Sequence, residues 1–280
     1  MKVMAIYAHP ADIIADCGGA LAMHVDKGDD VVAIIISHGA RIHPNKYVEE
    51  QRKENPDKSI INAGHEELIE AKKQEMQRAA DILGIQKVIC FDEEDNLTVP
   101  DPQIITRISM LVAEEKPDVV VMDHFSGGPY AGCHEMASAM AMSAVLRAGE
   151  FVKNLDGIDA HHVKQIYFSK VQSFNRDCLN YQGLKSDIYV DITPVAARKL
   201  KAVEQFASQA HTKDVSIKTM EAIFGAYGTS AKVNFAEGYM RYYPETHDGF
   251  PVTKYADNTD PLTAHVDYSK IRASDLYEED

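Results

Sequence analysis

The stretch KVMAIYAHPADIIADCGGALAMHVDKG, residues 2 to 28, contains a strand, two side chains of metal-ligand type and a helix in direct succession. KVMAIYA reads as a buried strand, and GGALAMHVDKG reads as a helix closed by Gly28, a residue that tolerates the left-handed conformation a helix end requires. The same rhythm continues along the chain. Strand-like runs follow at DVVAIIIS (30 to 37), KVICF (87 to 91), DVVVMD (118 to 123) and KQIYFSK (164 to 170). Between them, EELIEAKKQEMQRAADILG has apolar residues at helical spacing and ends on Gly84, while DPQIITRISMLVAEEKP starts with a capping Asp101 and stops before Pro117. Strand, helix and strand in alternation, joined by right-handed crossovers, predict an α/β fold with a doubly wound, mainly parallel, Rossmann-like sheet.

A chain of 280 residues is long enough for one full core, so residues 1 to 280 are expected to form a single domain. Two segments break the rhythm. HPNKYVEEQRKENPDKSIINAG, residues 43 to 64, is an insertion that reads either as a lid over a site or as a solvated excursion. A C-terminal extension from about residue 244, rich in Pro, Asp, Thr and Tyr, is expected to wrap the surface or meet a partner subunit, which makes a homo-oligomer the expected assembly.

The net charge of −14 argues against nucleic acid and anionic membrane surfaces as partners, and leaves a small-molecule substrate as the expectation. No apolar run reaches the roughly 18 residues needed to span a bilayer, and MKVMAIYAHP lacks the apolar core of a signal peptide, so a cytoplasmic location is expected. Cys17, Cys90, Cys133 and Cys178 are scattered without CxxC spacing, as reduced packing residues would be.

Ligands of open parallel sheets bind beyond the carboxyl ends of the strands. That rule selects the loops His9 to Asp12, Gly39 to His43, Asp92 to Asn96 and His124 to His134. In a short loop His9 and Asp12 can converge on one point, and imidazole with carboxylate suits zinc, which takes three protein ligands and a water at catalytic sites. The third ligand is His124 or His134. His134 is favoured because it opens the helix HEMASAMAMSAVLRAG, where a first-turn side chain points back toward the strand ends.

AHPADIIADCGG resembles the AHPDDE signature, followed by Gly-Gly, of the LmbE-like or PIG-L family of zinc-dependent N-deacetylases. The resemblance extends to AADILG, to the FDEEDN loop with Asp95 as counterpart of the family's Asp, to the His opening the fourth helix, and to DITPVAARKLKAVEQFASQ (191 to 209). It implies an LmbE-like fold, a Zn2+ cofactor, and His9, Asp12 and His134 as the metal ligands.

The departures are specific. Ala11 stands where the deacetylases carry their general base, Ile13 replaces the following Glu, and Ala131 occupies the place of a His that stabilises the oxyanion. Within the family the chain is similar to the 4-oxalomesaconate hydratase branch, through Ala at the base position, Pro129 and Tyr130 ahead of the ligand His, the QAH ending in His211, and FAEGYMRYYPE. That similarity implies metal-activated water acting on a small carboxylated metabolite, in a hydratase or lyase reaction. The alternatives are an N-deacetylase or amidohydrolase acting on an N-acyl sugar or amino-acid derivative, and an inactive metal-binding homologue. Ala40 in SHGARIHP, where relatives carry a Gly-Glu pair, leaves the substrate open.

His38, His43, His124 and His211 are the imidazoles that can replace the missing base, with His124, directly after a strand, foremost. Tyr130 can donate a hydrogen bond to a developing oxyanion or enolate. Arg41 and Arg241 are the candidate cations for an anionic substrate, and Asp95 and His211 are candidates for further substrate contacts.

Overall fold

Alternation along β1 (Lys2–Tyr7) assigns its side chains to two separate cores. Val3, Ala5 and Tyr7 enter one, and Met4, Ile6 and Ala8 the other. This is the pattern of a central strand covered on both faces. The computed structural model describes residues 1–125, 132–170, 185–256 and 270–277.

The remaining strands are β2 (Asp30–Ser37), β3 (Lys87–Glu93), β4 (Val119–Asp123), β5 (Gln165–Ser169), β6 (Ile188–Asp191) and β7 (Ala236–Arg241). They form one sheet in the order β3-β2-β1-β4-β5-β7-β6. Val3 pairs with Val31 of β2 and with Val119 of β4, both in parallel. The β2–β3 and β4–β5 pairs are parallel too, whereas β7 runs antiparallel to β5 and β6. The chain winds outward from β1 to β3 and then returns to β4 on the opposite side. This leaves a crevice at the carboxyl ends of β1 and β4.

The helices are α1 (Pro10–Asp26), α2 (Asn45–Gln51), α3 (Lys58–Ile61), α4 (His65–Leu83), α5 (Pro102–Glu115), α6 (Cys133–Ala148), α7 (Lys153–Asp156), α8 (Ala196–Val203), α9 (Lys213–Thr219) and α10 (Ala226–Ala231), with a π-helical turn, Met220–Gly225, joining the last two. Ile14, Leu21, Met76, Leu83 and Leu200 place α1, α4 and α8 in the first core, while Ile104, Ile108, Met140 and Val145 place α5 and α6 in the second. The sheet is therefore doubly wound, as the alternation predicts.

α1 departs from expectation in starting at Pro10, so Asp12 lies within its first turn and not in a loop. His9 is the N-cap, and its backbone N–H donates to Asp12 Oδ2 at 3.1 Å. Pro10 occupies the first turn, where a missing N–H costs nothing.

Gly18 and Gly19 then fall in the helix interior, and their role is packing. A Cβ on Gly19 would lie 2.6 Å from Ile192 Cγ2 and 2.8 Å from Glu237 Oε1. The buried Glu237 carboxylate accepts from Gly19 N and Ala20 N at 2.8 Å, from Lys199 Nζ at 2.7 Å and from Tyr239 OH at 2.6 Å. The glycine pair thus lets β7 dock on α1.

α4 ends on Gly84 with φ +79°, and Asp101 caps α5 by accepting from Gln103 N at 2.7 Å, both as the sequence predicts. The insertion folds into α2 and α3, and Asn45 Nδ2 donates to Gln209 O at 3.2 Å, tying it to the segment after α8. Cys17, Cys90 and Cys133 are free thiols, and Cys178 lies outside the described residues. Among the described residues no helix is long and apolar enough to cross a membrane.

Candidate metal centre

The crevice is lined by the ends of four strands. β1 delivers His9 directly, and the first turn of α1 swings Asp12 beside it. β2 runs into His38 and Gly39. Gly39 adopts φ +72°, and a Cβ there would approach His9 Cβ to 3.1 Å, so only glycine lets this loop pass over the imidazole without strain. His43 N then donates to Gly39 O at 3.1 Å, a turn that seats the His43 ring 4.8 Å from the His9 ring. From the other side of β1, the first turn of α6 brings the His134 ring to 4.8 Å from His9.

His9, Asp12, His43 and His134 each present a donor atom within 4.8 Å of the others, and all four are buried. His9 Nδ1 stands 3.0 Å and His134 Nδ1 3.5 Å from Asp12 Oδ2. Three imidazoles and a carboxylate are a set that can hold a transition-metal ion. Further carboxylates adjoin the imidazoles: Asp95 Oδ1 is 3.8 Å from His9 Nε2, the ring nitrogen that does not face Asp12, and Asp123 Oδ2 is 3.0 Å from His134 Nδ1, the nitrogen that also faces Asp12. Such partners orient a ligand ring and raise its basicity. Asp95 is itself held by Gly39 N at 2.6 Å and Arg41 N at 2.7 Å.

Lys170 was not among the sequence candidates, yet it is central to the electrostatics. It follows β5 in the left-handed region, with φ +53°. Its ammonium lies 2.7 Å from Asp16, 3.3 Å from Asp123 and 3.6 Å from Asp12. Burial pushes the Asp12 carboxyl up, but the charges of His134 and Lys170 and the bond from His9 override it and hold the group well below the ordinary range. Asp123 is lowered on the same balance, with Lys170 and His134 opposing burial. Asp16 comes out differently. Burial and repulsion from Asp123 and Asp12 raise it to about 7 against the pull of Lys170. Burial also lowers Lys170, but its three carboxylates outweigh that and raise it well above its usual value. A hydrogen-bonded chain runs from Tyr7 OH to Ser169 Oγ at 2.8 Å, and from there to Asp123 Oδ1 at 2.9 Å. A lysine at the carboxyl end of a fifth strand was readable from YFSK, had the strand-end rule been carried past the fourth strand.

The other candidates separate by position. His43, weighed as a replacement base, joins the metal cluster itself, and burial lowers its pKa to about 3. The buried Lys72 ammonium donates to His43 O at 3.3 Å and is lowered by burial to about 8. Arg41 lines a cavity of about 810 Å³ beside Glu94, Asp95 and Cys133, and its Nε donates to Glu94 at 2.9 Å. His124 lies at the same sheet end, but its ring packs 5.3 Å from Phe125 and 5.4 Å from Phe168, and burial lowers its pKa. His211, lowered by burial, is close enough to Lys72 and Asp12 to feel both charges.

Arg241 is not brought to the cluster. β7 is antiparallel, so its carboxyl end points to the amino ends of the parallel strands, and Arg241, opposite Tyr167 in the middle of β5, binds Asp187 at 3.2 Å and Glu245 at 2.9 Å. Tyr130 and Ala131 lie outside the described residues.

A mainly parallel sheet with a buried His/Asp cluster at its switch point defines an α/β protein with side chains that could hold a metal ion, and the chain belongs to the PIG-L family. The family model described as GlcNAc-PI de-N-acetylase matches residues 4–145, a span that includes all four clustered side chains. The chain is 27% identical to diacetylchitobiose deacetylase of Thermococcus kodakarensis over 251 residues, covering 87% of this chain and 83% of that protein. It is 25% identical to 4-oxalmesaconate hydratase of Pseudomonas putida over 249 residues, covering 87% of this chain and 90% of that protein. Both relatives are enzymes. The crystal structure of GalB, the 4-carboxy-2-hydroxymuconate hydratase of Pseudomonas putida KT2440, superposes with a TM-score of 0.71 at 21% identity, covering 89% of this chain and 99% of that one. At that identity the likeness concerns the fold.

Proposed function

We propose that the protein is a zinc-dependent hydratase acting on a small, unsaturated, carboxylated oxo-acid, with His9, Asp12 and His134 as the ligands. The observation that carries this reading is Ala11. It is buried in the first turn of α1 between the two proposed ligands, and by the family resemblance it stands where the deacetylases carry the carboxylate that deprotonates an amide-attacking water. Addition of water to an alkene needs no proton donor at a leaving nitrogen. It needs an oriented water and a proton delivered to carbon. Zinc bound at this site would supply acidification of a water.

The protein's own groups divide the rest. His43, kept neutral by burial, orients the water through its ring. The water gives up a proton to His124 as its oxygen bonds to one alkene carbon, the π electrons shift toward the conjugated carbonyl, and the neighbouring carbon takes a proton. His124 and Tyr130 are the proposed groups for that proton and for the enolate oxygen. Arg41, at the cavity wall, exchanges Glu94 for a substrate carboxylate. Asp95 contributes by holding the Gly39–Arg41 loop, and His211 adds a neutral imidazole near Asp12.

The second reading, an N-deacetylase, is favoured by the family model's own description. Zinc-loaded protein is to be assayed in parallel for loss of 4-oxalmesaconate absorbance and for acetate release from diacetylchitobiose. Hydration without acetate release is expected, and acetate release without hydration overturns the proposal. His43→Gln should keep its zinc and lose on the order of 10²-fold in turnover.

A further inference from the structure

We propose a second zinc-class cation site, formed by His38, His65 and the cavity-lining Glu94 and separated from the main centre by the Asp95 carboxylate. The three residues come from different elements: His38 from the end of β2, His65 from the start of α4, and Glu94 from the residue after β3. Their donor atoms lie within 4.8 Å of one another. The imidazoles meet edge to face at 5.1 Å, and His65 Nε2 stands 3.3 Å from Glu94 Oε1.

The observation that points to an ion is His38 Nε2. The side chain is 3% exposed, this nitrogen makes no hydrogen bond among the described residues, and Glu94 Oε2 faces it at 3.7 Å. Ala40 N–H donates to His38 Nδ1 at 3.1 Å, which places the ring proton on Nε2, where it has no hydrogen-bond acceptor. A buried donor left unsatisfied is costly. An ion on Nε2 removes that cost by moving the proton to Nδ1, where Asp95 Oδ2, 3.5 Å away, accepts it in place of the bond that Nδ1 takes from Ala40 N–H. The other Asp95 oxygen faces His9 of the main centre, so one carboxylate backs an imidazole of each site.

Two imidazoles and a carboxylate form a zinc set with an open fourth position. Donors around tetrahedral zinc stand roughly 3.3–3.6 Å apart, so the group must contract by about 1 Å. Glu94, 56% exposed, and His65, 30% exposed, have the freedom to do so. Glu94 must also give up Arg41, which makes this the weaker of the two sites. The assignment does not depend on the reaction at the main centre.

Protein stripped with a chelator is titrated with zinc against a colorimetric competitor. The wild type is expected to bind two equivalents, the second at least 10-fold weaker. His65→Ala and Glu94→Gln, each checked for native circular dichroism, should lose only the weak equivalent, and His134→Ala only the tight one. One equivalent in the wild type, or two in His65→Ala, overturns the second site. Retention of the tight equivalent in His134→Ala would count against the main centre instead.

Discussion

Lys170→Met removes the ammonium that Asp12, Asp16 and Asp123 share at 3.6, 2.7 and 3.3 Å. Breaking a buried ion pair from one side costs about 3–5 kcal/mol. The lysine side chain retains 25% exposure, so the lower end applies, about 3 kcal/mol at pH 8 in the presence of a chelator. The penalty depends on pH, and its sign follows from linkage. In the wild type the folded pKa values of Asp12 and Asp123 lie below their ordinary 3.8, so the stability they contribute is present above about pH 4 and drains away as pH falls through the folded values. Without Lys170, Asp123 loses the largest charge opposing its burial and climbs, and Asp16, raised to about 7 even against the pull of Lys170, climbs further, while Asp12 keeps the His134 charge and the His9 bond. The native state then holds protons that the unfolded chain releases, and stability falls as pH rises from about 4 through the new values. Urea denaturation at pH 5 and pH 8 should therefore show a penalty at pH 5 no more than about half that at pH 8. Lys170→Arg, which keeps the charge, should cost about 1 kcal/mol or less. Zinc should raise the Tm of Lys170→Met more than that of the wild type, because a dication at Asp12 replaces the lost charge. Equal penalties at the two pH values would refute the shared-counterion account.

Three further outcomes are expected. His134→Ala should abolish tight zinc binding, as read by metal analysis after dialysis, because it removes a ligand that Asp123 orients at 3.0 Å. Gly19→Ala should destabilise the fold by about 2 kcal/mol in urea melts, since the new methyl would sit 2.6 Å from Ile192 Cγ2 and press on the Glu237 carboxylate. Ala11→Asp should not produce acetate release from diacetylchitobiose; a rise of 10-fold or more would favour the deacetylase reading.

The sheet was legible because its central strands are short apolar runs separated by well-capped helices, with Gly84 and Asp101 marking two boundaries that the structure keeps. β6 and β7 were not. IYVD is only half-buried throughout, and AEGYMR carries a charge at each end of a pattern that becomes a strand only once Glu237 docks on α1. The antiparallel run of β7 also explains why Arg241, attractive as a nearby cation in the sequence, lies opposite Tyr167 in the middle of β5 and pairs with Asp187 and Glu245.

The sequence by itself determined the local terms: which runs are strands, where helices cap, that His9 and Asp12 follow the first strand and that His134 opens a helix, because these follow from residue spacing within a single turn or strand. Only the tertiary structure decided that His43 joins them, that Lys170 reaches back to three carboxylates, and that Asp95 stands between His9 and His38. Those contacts join residues dozens to more than a hundred positions apart, and chain crossovers, not local pattern, set their distances.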